Sequence, residues 1–84
     1  MKLKIEIPPS RFESLNKCRK IIILQYYSKT TIKEIVERYI VVSNQYRITL
    51  DIDEDLLEEY DYVVNVEYKD MAGFRTESIR ITNG

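Results

Sequence analysis

The sequence predicts a single α+β domain with a short N-terminal strand, three helices and a C-terminal β-hairpin. Charged and apolar residues alternate over residues 2–7, which is the period of a strand. Two capping boxes, at residues 10–13 and 31–34, each precede apolar residues spaced three or four apart, which is the period of a helix. Alternation returns over residues 60–68 and is followed by a turn containing Gly73, which predicts the hairpin.

Length and composition indicate one small globular domain. The chain has 84 residues, of which 44% are hydrophobic and 32% charged, and this balance is typical of a soluble protein. Its longest apolar run, residues 21–24, is too short to cross a membrane, so we expect no membrane association and a cytoplasmic location. The scarcity of alanine and the abundance of isoleucine and tyrosine predict an AT-rich genome, such as that of a thermophile or its virus.

Several classes of chemistry are excluded by composition. The chain has no histidine, which removes the imidazole base of a serine-type triad and any histidine-ligated metal. Its one cysteine, Cys18, cannot form an internal disulfide or a thiolate zinc site, and we expect it to be a buried thiol. Two glycines are too few for a phosphate-binding loop. We therefore expect no enzyme activity, no catalytic residues, no metal ligands and no cofactor.

The net charge of −1 conceals an uneven distribution. Residues 1–47 carry ten basic and four acidic groups, whereas residues 48–84 carry three basic and ten acidic groups. This asymmetry predicts a basic face turned towards a polyanion. The alternative is that the two halves pack together and pair their charges.

The first helix is predicted over residues 12–27. Phe12, Leu15, Cys18, Ile22 and Tyr26 give it one apolar face. The β-branched residues 21–23 form helices poorly, so a buried strand is the alternative there.

A second helix is predicted over residues 31–39, with Ile32, Ile35, Val36 and Tyr39 as its apolar stripe. A third helix is predicted over residues 43–60. Its alternative is a strand at residues 46–52 followed by a new helix capped at Asp53, with acidic residues in the first turn.

This order of elements resembles the winged helix-turn-helix family. Residues 31–39 resemble the first helix of the helix-turn-helix motif, residues 43–47 resemble the start of its recognition helix, and Tyr46 and Leu50 match the apolar anchors of that helix. The resemblance implies three helices over residues 10–60 and a wing hairpin over residues 61–82. Ile40 and Val36 depart from the glycine and the small residue usual in the family. A ribbon-helix-helix fold and a ubiquitin-like grasp fold are the alternatives.

The resemblance also implies a function, namely a small transcriptional regulator that binds double-stranded DNA. The recognition helix would read base edges, while cations of the second helix and of the wing would contact phosphates. The DNA-binding residues implied in this way are Ser43, Asn44, Gln45 and Arg47 for the bases, Lys29, Lys33 and Arg38 for the phosphates, and Lys69 and Arg75 for the wing.

Two further expectations concern protein partners. The acidic segment at residues 51–61 would repel phosphates, so the alternative function is a protein–protein interaction module that uses this segment and binds no nucleic acid. The edge of the strand at residues 3–7 could pair with its twin, which predicts a homodimer.

Overall fold

The computed structural model describes residues 2–41, 47–70 and 75–83, and most of these residues belong to β-strands. In chain order the elements are β1 (Lys2–Ile7), a first 3-10 helix (Glu13–Lys17), β2 (Lys20–Ser28), β3 (Glu34–Val41), β4 (Ile48–Asp53), a second 3-10 helix (Glu54–Glu58), β5 (Tyr60–Lys69) and β6 (Thr76–Thr82). Within these ranges the fold is therefore all-β apart from two short 3-10 helices.

The predicted winged helix-turn-helix fold is wrong. The described residues contain no α-helix, and the region predicted to hold three helices, residues 10–60, holds β2, β3, β4 and the two 3-10 helices instead. The physical reason is the β-branched content of residues 21–23 and of β3, because isoleucine and valine fit a pleated sheet better than a helix. The strand alternative for residues 21–23 is confirmed.

Three sequence predictions are confirmed. The N-terminal strand is β1, and the C-terminal hairpin is formed by β5 and β6, joined through Asp70 N–H donating to Arg75 O at 2.9 Å. The alternative of a strand at residues 46–52 is confirmed in its described part by β4, and Asp53 Oδ1 accepts a hydrogen bond from Asp55 N at 3.1 Å, although the element that Asp53 caps is a five-residue 3-10 helix.

Two antiparallel sheets face each other across one hydrophobic core. The first consists of β1 and β4, and the second has the strand order β3-β2-β5-β6. Alternate residues of β2, β4 and β5 point between the sheets, with Leu24 and Val64 paired at the centre. The buried hydrophobic cluster comprises Ile7, Leu15, Ile22, Leu24, Tyr26, Ile48, Leu50, Ile52, Tyr62, Val64, Val66 and Tyr68.

β1 pairs with β4 of the same chain, in continuous register from Lys2↔Asp53 to Ile7↔Ile48. One edge of β1 is therefore occupied by β4. The homodimer predicted from this strand could use only its other edge. No helix within the described residues has the length and apolar character needed to cross a membrane.

Candidate interaction surface

β3 forms an open edge of the four-stranded sheet. Among the described residues it pairs only with β2, from Tyr27↔Glu34 to Lys20↔Val41. Every residue from Glu34 to Ile40 is exposed, and of β3 only Val41 packs against the core. β3 thus holds its place mainly by backbone hydrogen bonds to β2.

The hydrogen-bonding pattern of the hairpin defines which backbone groups β3 leaves open. Ser28 N–H donates to Lys33 O at 3.0 Å, so these two residues form a hydrogen-bonded pair. Hydrogen-bonded and non-hydrogen-bonded pairs alternate along an antiparallel ladder. The residues of β3 whose N–H and C=O groups point away from β2 are therefore Glu34, Val36, Arg38 and Ile40.

Both faces of β3 carry apolar side chains that stay partly exposed in the described structure. On the face away from the core, Val36 is 50% exposed and Ile40 is 62% exposed. On the core side, Ile35 and Tyr39 are each 37% exposed. A long edge strand with exposed apolar residues is a ready template for pairing with another chain.

The opposite edge of the same sheet, β6, has a different chemistry. Asp70 N–H donates to Arg75 O, and the same alternation makes Thr76, Ser78, Arg80 and Thr82 the residues whose backbone groups face outward. All four have polar side chains, whereas the apolar residues of β6, Ile79 and Ile81, pack against the core. Polar and charged side chains protect an edge from unwanted pairing, so β3 is the less protected of the two edges.

Tyr39 and Glu37 are paired on the core side of β3. Tyr39 Oη donates to Glu37 Oε2 at 2.7 Å. This hydrogen bond, together with partial burial and the charge of Glu37, raises the pKa of Tyr39 to about 12. The folded state therefore gains stability as long as Tyr39 is a neutral phenol. This gain in folding free energy is complete below the ordinary tyrosine pKa of about 10 and is lost as the pH rises towards 12.

We expect Glu37→Ala to lower the pKa of Tyr39 towards 10, because the variant removes both the hydrogen-bond acceptor and the nearby negative charge. The measurement is an NMR titration of ring-labelled tyrosine, with the Tyr39 signal assigned by its loss in Tyr39→Phe. Glu34→Ala is the matched control, because Glu34 lies on the same strand and bonds Gln25 instead. An equal midpoint in Glu37→Ala and Glu34→Ala would contradict the assignment.

Comparisons with known proteins assign the chain to no family. No family model, no curated protein and no solved structure matches the chain.

Of the base-reading residues implied by the winged-helix resemblance, Ser43, Asn44 and Gln45 fall outside the described residues, so only Arg47 can be placed. Arg47 lies just before β4, and its Nη1 atom is 2.8 Å from Glu6 Oε1 at the end of β1.

The other cations named for DNA binding lie at separate places on the sheet. Lys29 and Lys33 lie at the β2–β3 turn, and Arg38 lies in the middle of β3. Lys69 and Arg75 flank the β5–β6 turn at the opposite end, which is about 30 Å away along β2 at 3.3 Å per residue. Three of the five have neighbours, since Lys29 Nζ donates to Leu57 O, Lys69 Nζ is 3.6 Å from Glu67 Oε2 and Arg75 stacks on the Phe12 ring.

Charge pairing between the two halves of the chain is present. Arg11 Nε lies 3.2 Å from Glu77 Oε1, and Lys29 Nζ lies 3.9 Å from Asp61 Oδ1 at the end of the acidic segment. These two contacts join the basic half to the acidic half, as the alternative interpretation of the asymmetry predicted. The acidic segment itself spans β4, the second 3-10 helix and the start of β5, and no three potential metal ligands converge in the described part of the chain.

The β3 edge was missed because its apolar residues also fit a helical spacing. Ile32, Ile35, Val36 and Tyr39 lie three or four apart, which suggested a helix with a buried face. The signal for a strand was the composition, since Ile35, Val36, Ile40 and Val41 are all β-branched.

Proposed function

We propose that this protein is a protein–protein interaction module that binds an extended segment of a polypeptide along the open edge of β3. The observation that carries the proposal is the exposure of β3 from Glu34 to Ile40 along a strand that pairs only with β2 in the described residues. Strand addition of this kind gains affinity from main-chain hydrogen bonds and specificity from alternate side chains.

The side chains of β3 indicate what the incoming segment would carry. On the face away from the core they read acidic, apolar, basic and apolar, from Glu34 through Val36 and Arg38 to Ile40. A complementary strand would place a basic residue opposite Glu34, an acidic residue opposite Arg38 and apolar residues opposite the other two. Within the described residues Arg38 makes no ion pair, so its charge is available to such a partner.

This proposal keeps the interaction function predicted from the sequence and changes the surface that performs it. The acidic residues at 51–61 are partly engaged within the chain, through Lys29 and through the Asp53 cap. β3 combines open backbone groups, exposed apolar area and charges of both signs in one continuous strand.

We expect Val36→Pro to weaken strand addition at β3 while leaving the fold intact. The N–H of Val36 points away from β2, so proline removes an outward donor without removing a hydrogen bond of the sheet. The measurement is a display selection of random extended peptides on the wild-type chain. Binding of the selected peptides to each variant is then measured at high dilution. We expect binding at least about tenfold weaker to Val36→Pro than to wild type.

Ser78→Pro is the matched control, because it removes the equivalent outward N–H from the β6 edge of the same sheet. Circular dichroism and thermal melting of both variants establish that the sheet is retained. Selected peptides that bind Val36→Pro as tightly as wild type would reject the proposal, as would a selection that yields no peptide on a chain that is monomeric under the same conditions. Binding of duplex DNA by the wild-type chain, with affinity falling steeply as salt is added, would favour the nucleic-acid function instead.

A further inference from the structure

The β3 edge has a sequence that is complementary to itself. A two-fold axis normal to the sheet relates two antiparallel copies of one strand and keeps every side chain on its own face. In each register one residue then lies opposite its twin on the axis, and its neighbours pair symmetrically around it. The register is thus defined by naming the residue on the axis.

Like charges exclude two of the central registers. With Glu37 on the axis, the two Glu37 carboxylates lie opposite each other, and with Arg38 on the axis the two Arg38 guanidinium groups do so. Like charges directly opposite are destabilising in an antiparallel pair. With Tyr39 on the axis, Arg38 lies opposite an isoleucine and gains no charge partner.

The register with Val36 on the axis satisfies every charge on the outer face. Glu34 then lies opposite Arg38 of the partner subunit, and the symmetric pair repeats this contact on the other side of the axis. Val36, Glu34 and Arg38 all present their backbone groups outward, so the register forms about six hydrogen bonds between the two strands. A register centred on Ile35 also opposes unlike charges, but it overlaps only three strand residues of each copy.

The same register covers the exposed apolar residues at both ends of β3. Continued two residues beyond Glu34 into the β2–β3 turn, this register brings Ile40 of the partner subunit towards Ile32, which is fully exposed. An open cleft of about 410 Å³ lies there, lined in part by Tyr27, Ile32 and Glu34. The side chain of the partner's Ile40 can pack against the apolar lining of this cleft. Val36 is covered by Val36 of the partner subunit on the axis.

We infer that the occupant of the β3 edge is a second copy of this chain, paired antiparallel about a two-fold axis through Val36. The inference rests on the proposed function and names its partner. The two four-stranded sheets join into one continuous eight-stranded sheet, with Glu34 and Arg38 forming two symmetric ion pairs across the junction. Oligomers with two-fold symmetry use one self-complementary patch of this kind.

The test is the mass of the full chain in solution over a concentration series, measured by sedimentation or by light scattering. Wild type is expected to approach twice its 10.1 kDa. Glu34→Arg places two arginines opposite each other at both contacts, and Arg38→Glu does the same with two glutamates. Each single variant is expected to dimerise roughly tenfold or more weakly than wild type.

An equimolar mixture of Glu34→Arg and Arg38→Glu restores opposite charges at both contacts, so a mixed dimer is expected. The double variant, which carries both changes in one chain, is expected to dimerise as wild type does. Arg80→Glu is the matched control, because Arg80 is exposed on the outer face of β6 at the other edge of the sheet. We expect its dimer to match that of wild type.

A wild-type chain that stays at the monomer mass overturns the inference, and so does a dimer that none of the β3 variants weakens. Weakened single variants that neither form the mixed dimer nor recover in the double variant also overturn it. These outcomes are separable from failure of the interaction function. A monomeric chain whose selected peptides lose binding in Val36→Pro would retain strand addition and reject the second copy as occupant.

Discussion

Replacing Leu24 with alanine is expected to lower the free energy of unfolding by about 3 kcal/mol, which is a large part of the stability of so small a domain. Leu24 has no exposed surface and lies at the centre of β2, opposite Val64 of β5. The substitution removes buried methyl groups and leaves a cavity, because neighbouring side chains on paired strands cannot close around it. Urea denaturation followed by circular dichroism measures the change.

Leu3→Ala is the matched control for this prediction. Leu3 lies on β1, in the two-stranded sheet, and about a third of its surface is exposed to solvent. The same chemical change there is expected to cost about 1–2 kcal/mol, because part of the side chain is already in water and the space left behind is open to solvent. Equal losses of stability in Leu3→Ala and Leu24→Ala would contradict the position of Leu24 at the centre of the core.

The elements that the sequence predicted correctly are those with one buried face and one polar face. In β5, Tyr62, Val64 and Val66 point into the core, and Asn65 and Glu67 alternate with them on the other side. β1 shows the same alternation of isoleucine and charged residues. A strict period of two cannot be accommodated by a helix, so these segments had one structural interpretation.

The mispredicted elements lack that contrast. In β2, Ile21 and Ile23 on the outer face are only partly exposed, so residues 21–24 read as a continuous apolar run with no period. The Thr31 capping box was misleading for a related reason. Thr31 N–H and Oγ1–H both bond to Ser28 Oγ, so these hydroxyl groups order a turn between strands instead of a helix N-terminus. A local capping signal does not determine whether the next element is a helix or a strand.

The candidate site could be predicted only in part. The apolar residues of β3 can be read from the sequence, but their exposure cannot, because it depends on which strands cover them. β3 lies at the edge of a four-stranded sheet, and the sheet packed against it has only two strands. The self-complementary order of Glu34, Val36 and Arg38 becomes meaningful only once the strand direction and the open edge are known. Pairing order in a sheet is non-local, and periodicity carries no information about it.

The second large effect is expected from Asn16→Ala, which should lower the free energy of unfolding by about 2–3 kcal/mol. Asn16 is buried in the first 3-10 helix. Its Oδ1 accepts the N–H of Ser10 at 2.6 Å, and its Nδ2 donates to the carbonyl of Ser10 at 3.2 Å. Alanine leaves both backbone groups of Ser10 without partners, and buried polar groups without partners are costly. Thermal and urea denaturation measure the loss.

Asn83→Ala is the matched control, because Asn83 Oδ1 also accepts a backbone N–H, that of Tyr62 at 2.8 Å, but from an exposed position. Water can replace that bond, so the expected cost is about 1 kcal/mol or less. A loss in Asn16→Ala no larger than that in Asn83→Ala would show that Ser10 finds other partners.

The pKa of Lys20 gives an independent measurement on the segment around Asn16. Its Nζ donates to the carbonyl of Asn16 at 2.7 Å and to that of Cys18 at 3.1 Å, and burial lowers its pKa below 10.5. The lowered pKa means that the charged form destabilises the fold, so this penalty is relieved as the pH rises towards 10.5. If Asn16→Ala loosens the loop, water reaches the ammonium group and the pKa of Lys20 rises towards its ordinary value. An NMR titration in which Asn16→Ala left that pKa unchanged would confine the effect of Asn16 to Ser10.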